Sequence, residues 1–391
     1  MSEPYAFRSM ESVAETAQIS STFPTGGSFR NSDYRIKFDC YVQNPAARSD
    51  TVSLLDLPEQ QSIRDQYLWN VAAPGFLSAG VLSFSDYSFF ENCALPIEVR
   101  RREAIIGEPV CWGIDFAKWY AGQHNLDTLM GDNLSRRILN PTLRDLRHHR
   151  IRNSAVIMSA PGQEIYGHWL LDIIPRLHVL SLGPSFHLPI YFNNLPRWAT
   201  YFLDALDIDL KRFLPHPSRF FRVENALVPT ASKSGYRLGE TSLKAAWARI
   251  ADAYRPPAMA RERLGQKVFF SRRKLTHSAR RSPENIEDME LALERRGYKI
   301  VVPETLSIAE QICVMREARV VIGEDGSALH NIIFGYPGLR LGVLSLPERT
   351  NLWHMSLCQI LGHSLAYCSL PEAGMPMDIA ALNEFVDGLE G

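Results

Sequence analysis

The chain has 391 residues, 46% of them hydrophobic and 22% charged, which is enough apolar material for a real core and more length than one core usually organises, so two domains are expected. Forty-two Lys and Arg against 43 Asp and Glu leave a formal net charge of -1, which removes any overall electrostatic case for nucleic acid or an anionic membrane as partner. Cys40, Cys93, Cys111, Cys313, Cys358 and Cys368 form no CxxC pair, pointing away from a zinc cage or disulfide framework and toward a reducing cytosol. The N-terminal stretch lacks the apolar core of a signal peptide, and no run of about 18 apolar residues occurs anywhere. Membrane association is therefore expected to be peripheral at most, on the inner face of a cytoplasmic location.

Residues 1–65 mix Ser, Pro, Asn and Gly with short apolar runs and read as an irregular lead-in. The span 66–251 reads as a first Rossmann-like domain. "LSAGVLSF" and "AIIGEPVCWGI" predict short strands, and "SAVIMSA" (154–160) predicts a buried one. "YGHWLLDIIPRL" (166–177) follows as a helix and "LPIYFNN" (188–194) as a strand, an order that suggests a parallel crossover unit. A helix in "PRWATYFLDALDID" and a strand in "ENALVPT" complete it.

Two prolines and a charged run in 252–266 mark a linker. The span 267–350 then alternates strands and helices. "KVFFS" is a strand, and "SPENIEDMELALERRG" a helix with Ser282 as N-cap, Pro283 at its first position and Gly297 as stop. "YKIVV" is a strand, and "SIAEQICVMREA" opens with a capping box, Ser307 and Glu310. "RVVIG", a helix in "SALHNIIFG" and a final strand "LRLGVLS" close a second Rossmann-like domain. Whether the last segment, 351–391, crosses back to the first domain stays open.

Chemistry in such folds sits at the carboxyl ends of the strands. Two loops of the second domain lie there. "SRRKLTHSARR" (271–281) crowds Arg272, Arg273, Lys274, Arg280 and Arg281 into a strand-to-helix connection, giving forked donors for phosphate oxygens, with Ser271, Arg272, Arg273 and Arg281 the candidate contacts, or else is a solvated basic loop. "GEDGSALHN" (323–331) offers Asp325, Gly326, Ser327, Ala328, Leu329 and Asn331, with backbone amides entering a helix, or else is a structural turn.

In the first domain, a helix over 166–177 would put His168, Asp172 and Arg176 at i, i+4 and i+8, with Tyr166 nearby and Trp169 on a neighbouring face that can pack inward. His168 is the candidate general base and Asp172 the group that fixes its tautomer; the alternative is a His–Asp pair that only pins a core helix. Pro175, which has no N–H for the Leu171 carbonyl, predicts a kink or helix end. "DID" (207–209) matches a metal-binding Asp-x-Asp but reads as a polar turn, so no metal is expected. His277, His330 and His354 read as surface or satisfied buried histidines.

The succession of "YGHWLLDIIPRL", "FFSRR" and "ETLSIAEQICVMREARVVIGEDGSALHNIIF", over about residues 150–345, resembles the family-61 glycosyltransferases. That family includes bacterial capsular polysaccharide enzymes, plant xylan-decorating enzymes and animal protein O-linked N-acetylglucosaminyltransferases. The resemblance implies an α/β, GT-B-like fold, with two Rossmann-like domains facing across a cleft and the second binding the nucleotide sugar. It also implies inverting, metal-independent transfer, usually from a uridine diphosphate sugar, with no cofactor besides the donor. The acceptor would be an oligosaccharide, polysaccharide or lipid-linked saccharide, most naturally in bacterial surface polysaccharide synthesis. His168 and Asp172 match the family's His and Asp four residues apart, which would put Tyr166, Trp169 and Arg176 on the acceptor side; Arg272 matches its strand-ending arginine, and Gly326, Leu329 and Asn331 its glycine loop. Two positions depart from the pattern. Asp325-Gly326-Ser327 stands where members read His-Gly-Ala, and Glu284-Asn285 reverses the usual Asn-Glu. Two other functions compete: a sugar-nucleotide-binding protein without catalysis, and an NAD-dependent oxidoreductase, which the lack of a GxGxxG after any strand disfavours.

Overall fold

The computed structural model describes residues 6–9, 28–44, 54–55, 60–72, 79–90, 94–98, 100–101, 103–106, 149–218, 220–254, 265–275, 282–346, 350–372 and 374–391. The chain divides into two compact units, Met1–Ala47 with Pro74–Ala246 and Arg48–Ala73 with Trp247–Gly391. The division falls inside the helix Glu240–Ala253, ahead of the linker expected at 252–266, of which residues 255–264 lie outside the described ones. Among the described residues no helix is long and apolar enough to cross a membrane.

The first unit is built on a mixed sheet. Its described strands run in the spatial order Ala6–Ser9, Glu103–Ile106, Leu95–Glu98, Ala79–Phe90, Phe220–Pro229, Arg150–Ile157, Ile190–Tyr191 and Phe213–Leu214. Phe220–Pro229 pairs parallel with Arg150–Ile157, and the next two strands continue parallel, which is the crossover order expected from the sequence. On its other side the same strand pairs antiparallel with Ala79–Phe90, which in turn pairs antiparallel with Ile36–Val42 and Leu95–Glu98. The unit is therefore Rossmann-like in only part of its sheet.

Ile36–Val42, inside the stretch read as an irregular lead-in, is a paired strand, and Gln60–Ala72 is a helix. Local periodicity is weak there because the stabilisation is non-local: Ile36 and Phe38 are buried against Phe84 and Leu82, some 45 residues away in sequence. Of "AIIGEPVCWGI", Ala104–Ile106 belongs to a strand and residues 107–114 lie outside the described ones.

The second unit holds an all-parallel five-stranded sheet in the order Lys299–Val301, Lys267–Phe270, Val320–Glu324, Arg340–Ser345, Ser364–Ser369. Numbered along the chain this is 2-1-3-4-5, the doubly wound arrangement in which strand order reverses between the first and third strands. Phe269, Ile322, Leu344 and Ala366 from successive strands are buried with Met289 and Leu293 of helix Ile286–Arg295 and Leu382, Val386 and Leu389 of helix Ile379–Glu390. Strand 340–345 is thus not the last, since 364–369 extends the sheet. The segment 351–391 lies wholly in this unit. The outer strand is covered from upstream: the Gln60 amide donates to the Tyr367 carbonyl at 2.8 Å and accepts from the Tyr367 N–H at 2.8 Å. Such pairing blunts an exposed edge.

Helix boundaries shift in several places, most clearly at the start of the helix after strand 267–270. The helix expected from Ser282 begins at Ile286, because the Asn285 side chain exchanges hydrogen bonds with the main chain of Met377 and Glu284 N–H donates to Met375. Ser307 and Glu310 do form the capping box.

Candidate active site

In the first unit the carboxyl ends of the parallel strands 150–157 and 220–229 converge on one helix. It runs from Tyr166 to Ser181 with a π turn over Trp169–Ile173 in its middle. Pro175 explains the turn: it has no N–H to give, and the ladder widens just ahead of it, with Ile174 N–H reaching back to Trp169. The helix passes through the proline and neither ends nor breaks there.

His168 and Asp172 meet across this irregularity, with Nδ1 2.6 Å from Oδ2. The imidazole is 42% exposed, whereas the Asp172 side chain is 5% exposed. The second carboxylate oxygen, Oδ1, lies 2.6 Å from Nζ of Lys233, a residue the sequence reading did not single out. Burial on its own would raise the Asp172 carboxyl, but the Lys233 charge and the His168 hydrogen bond outweigh it and hold the group well below the usual carboxylate range. Asp172 is thus an ionised acceptor, and His168 Nδ1 is its donor. The nitrogen left to take a proton is Nε2.

The loop before the helix is shaped for that ring. Gly162 has φ +74°, and a Cβ added there would lie 2.6 Å from His168 Cδ2 and 2.8 Å from Nε2. Only a glycine accommodates both the left-handed backbone and the imidazole against its Cα. The loop is locked by Gln163, whose side chain accepts from Ala160 N–H and donates to the Asn193 carbonyl, while its own carbonyl accepts from Trp169 Nε1.

Two of the expected acceptor-side residues are elsewhere. Trp169 is fully buried among Phe192, Trp198 and Phe202. Arg176 is 1% exposed, and its guanidinium donates to the carbonyls of Pro229 and Met158 at 2.7 Å each and to Ile157 at 3.4 Å. These carbonyls end the two central parallel strands, so Arg176 satisfies acceptors that have run out of ladder. Tyr166 is half-buried, edge-on to Trp198.

In the second unit the expected phosphate loops do come together, at the point where strand order reverses. Arg272, just past strand 267–270, donates through Nη1 to the Asp325 carbonyl, just past strand 320–324, and its N–H donates to Glu324 Oε1 at 3.0 Å. A Cβ on Gly326 would lie 3.0 Å from Arg272 Nη1, so the glycine lets the guanidinium lie against the loop backbone. Ser327 and Ala328 follow, half-buried, at the start of a 3-10 helix, Ser327–Phe334.

Residues 166–342 match the family model described as Glycosyltransferase 61. The chain carries a family-61 glycosyltransferase domain. It is an enzyme of sugar transfer, acting between a sugar donor and a saccharide acceptor in general terms. No curated protein matches the chain. The matched span opens on Tyr166 and closes inside strand 340–345, so this glycosyltransferase domain holds both the His168 cluster and the Arg272 loop pair.

Several expected donor residues of the glycosyltransferase support the loops from beneath and have no surface for a ligand. Leu329 and Asn331 are 0% exposed; Leu329 underlies Gly323, and Asn331 donates to Gln311 Oε1 at 2.8 Å. Ser271 is buried and accepts from Arg273 N–H. The Arg273 guanidinium pairs with buried Glu290 at 2.6 Å, and Arg281 and His277 lie outside the described residues. Asp325, the carboxylate in the family's histidine position, is buried, with Oδ1 2.9 Å from His354 Nε2. His330 sits edge-on to His354 with ring centroids 5.1 Å apart. In "DID", Asp209 accepts from Lys211 N–H and caps a short helix, and Asp207 has the left-handed φ of a turn. Among the described residues no cluster of three or more His, Cys, Asp or Glu is placed to hold a metal ion.

Lys233, Gly162 and Glu324 were not expected. Only Lys233 left a readable signal: "SKSG" follows directly on a strand expected to end the first sheet, where a cation is worth marking.

Proposed function

We propose that the chain is an inverting, metal-independent glycosyltransferase of GT-B type, with the donor, a uridine diphosphate sugar, held by the second unit and the acceptor activated by the first. The observation that carries this reading is the His168–Asp172 pair: an exposed imidazole whose Nδ1 is occupied by a buried, ionised carboxylate. In the reaction, His168 Nε2 takes the proton of the acceptor hydroxyl as that oxygen bonds to the anomeric carbon. The bond from that carbon to the donor phosphate breaks, and the nucleoside diphosphate leaves with the electron pair. Asp172 stabilises the imidazolium that forms.

The departing diphosphate needs positive and dipolar groups, and Arg272 with the amides that follow Gly326 supplies them. The acceptor class, an oligosaccharide, polysaccharide or lipid-linked saccharide of bacterial surface polysaccharide, follows the resemblance, as does a cytoplasmic or inner-face location. The test is turnover of a panel of nucleotide sugars with a saccharide acceptor, with the anomeric configuration of the product read by NMR. His168→Ala and Asp172→Asn should each lower kcat by about 10²-fold or more and leave donor affinity intact. Near wild-type rates in both folded variants would refute the reading. Donor binding without turnover would point instead to a sugar-nucleotide-binding protein.

A further inference from the structure

We propose that Lys233 is a positioning residue that sets the basicity of the His168–Asp172 pair by sharing the Asp172 carboxylate. This rests on the reading of His168 as the base. The two oxygens of Asp172 are divided, Oδ2 to His168 Nδ1 and Oδ1 to Lys233 Nζ, each at 2.6 Å. Lys233 is itself 12% exposed in its side chain, so solvent screens the contact little.

The lysine is fixed by local structure. It opens a two-residue strand, Lys233–Ser234, that pairs back on Arg237–Leu238 through a turn in which Gly235 has φ +52°. The turn is anchored where Gly239 N–H donates to the Ser232 carbonyl at 2.7 Å. This hairpin begins four residues after the end of strand 220–229, so the sheet delivers Lys233 to Asp172 as it delivers the Gly162 loop to His168.

A buried carboxylate facing only an imidazole binds a proton tightly between the two groups, since the imidazolium gains a full counter-charge in a dry site. A tighter hold on that proton makes the pair a slower exchanger of the acceptor's proton. Lys233 weakens the hold. Its charge holds Asp172 ionised in either state of the histidine and opposes a second positive charge on the imidazole. The carboxylate still fixes the ring through Nδ1. Among the described residues, the charged groups against the imidazole are Asp172 on its own helix and, through Asp172, Lys233 from the hairpin; from the loop before the helix, Gly162 presents main chain.

The test is a pH titration of the His168 ring by 15N NMR on the full chain, its signals assigned by their loss in His168→Gln, alongside the pH profile of kcat/KM. Lys233→Met keeps most of the apolar stem. Lys233→Gln keeps a donor for Asp172 without the charge and carries the test should the Met variant fail to fold. In both, the pair should take up its proton at a pH higher by about one unit or more, the usual effect of a nearby charge, and the acid limb of kcat/KM should move with it. A lysine that only braced the fold would lower stability and leave the midpoint in place. An unshifted midpoint in either folded variant overturns the proposal. A shifted midpoint with undiminished transfer by His168→Ala would leave Lys233 as assigned and overturn the base reading; an inactive His168→Ala with an unshifted midpoint would do the reverse.

Discussion

Arg176→Met separates a structural arginine from an acceptor contact. The wild-type guanidinium makes two hydrogen bonds of 2.7 Å, to the Pro229 and Met158 carbonyls, and a third contact of 3.4 Å to Ile157. A hydrogen bond to a charged group contributes about 1.5–3 kcal/mol, so the two short ones represent about 3–6 kcal/mol. Methionine fills the space of the stem and removes a buried charge, which offsets part of the loss, leaving a net destabilisation of about 2–4 kcal/mol. The damage should be local to the first unit. Hydrogen exchange should show strands 150–157 and 220–229 opening about 30- to 1,000-fold more often, at about 1.4 kcal/mol per decade. Thermal unfolding of the unit should move down with it. Unchanged exchange and melting, together with a raised acceptor KM, would refute the structural argument and return Arg176 to the acceptor side.

Three other perturbations bear on the same sites. Gly162→Ala places a methyl group into the His168 ring and forces a left-handed backbone costing about 1–2 kcal/mol, so transfer should fall while nucleotide affinity, measured by calorimetry, stays as it was. Arg272→Ala should weaken uridine diphosphate binding by about 10- to 100-fold, the equivalent of about 1.5–3 kcal/mol, and an unchanged Kd would remove Arg272 from the donor site. Asp172 has a folded-state carboxyl held below its unfolded value, so it contributes stability above about pH 4 that is lost as pH falls through the folded value. Asp172→Asn lacks that dependence, and the stability gap between the two proteins should close on acid titration below about pH 4; a gap constant down to pH 2 would contradict the ion-pair account.

The alternation of strands and helices from 267 to 345, the capping box at Ser307, and the pairing of His168 with Asp172 were all legible in the sequence. Each depends on residues within a few positions of one another, where the helical repeat or a strand-ending turn fixes geometry locally. Arg272 could be placed at a strand end for the same reason, and the 2-1-3-4-5 strand order then brought it against the Gly326 loop.

What the tertiary structure alone decided is which side of each element faces protein. Arg176 and Trp169 share a helix with His168, and no spacing distinguishes a cation that faces substrate from one that closes the carbonyl ends of two strands. Leu329 and Asn331 share a short 3-10 helix with Ser327 and Ala328, yet face inward, Leu329 against the strand at Gly323 and Asn331 against Gln311 of helix Ile308–Glu317. Lys233 reaches Asp172 across 61 residues of chain. A partner chosen over that distance leaves no periodic trace, because it is set by which strands lie side by side, and strand order is a property of the whole sheet.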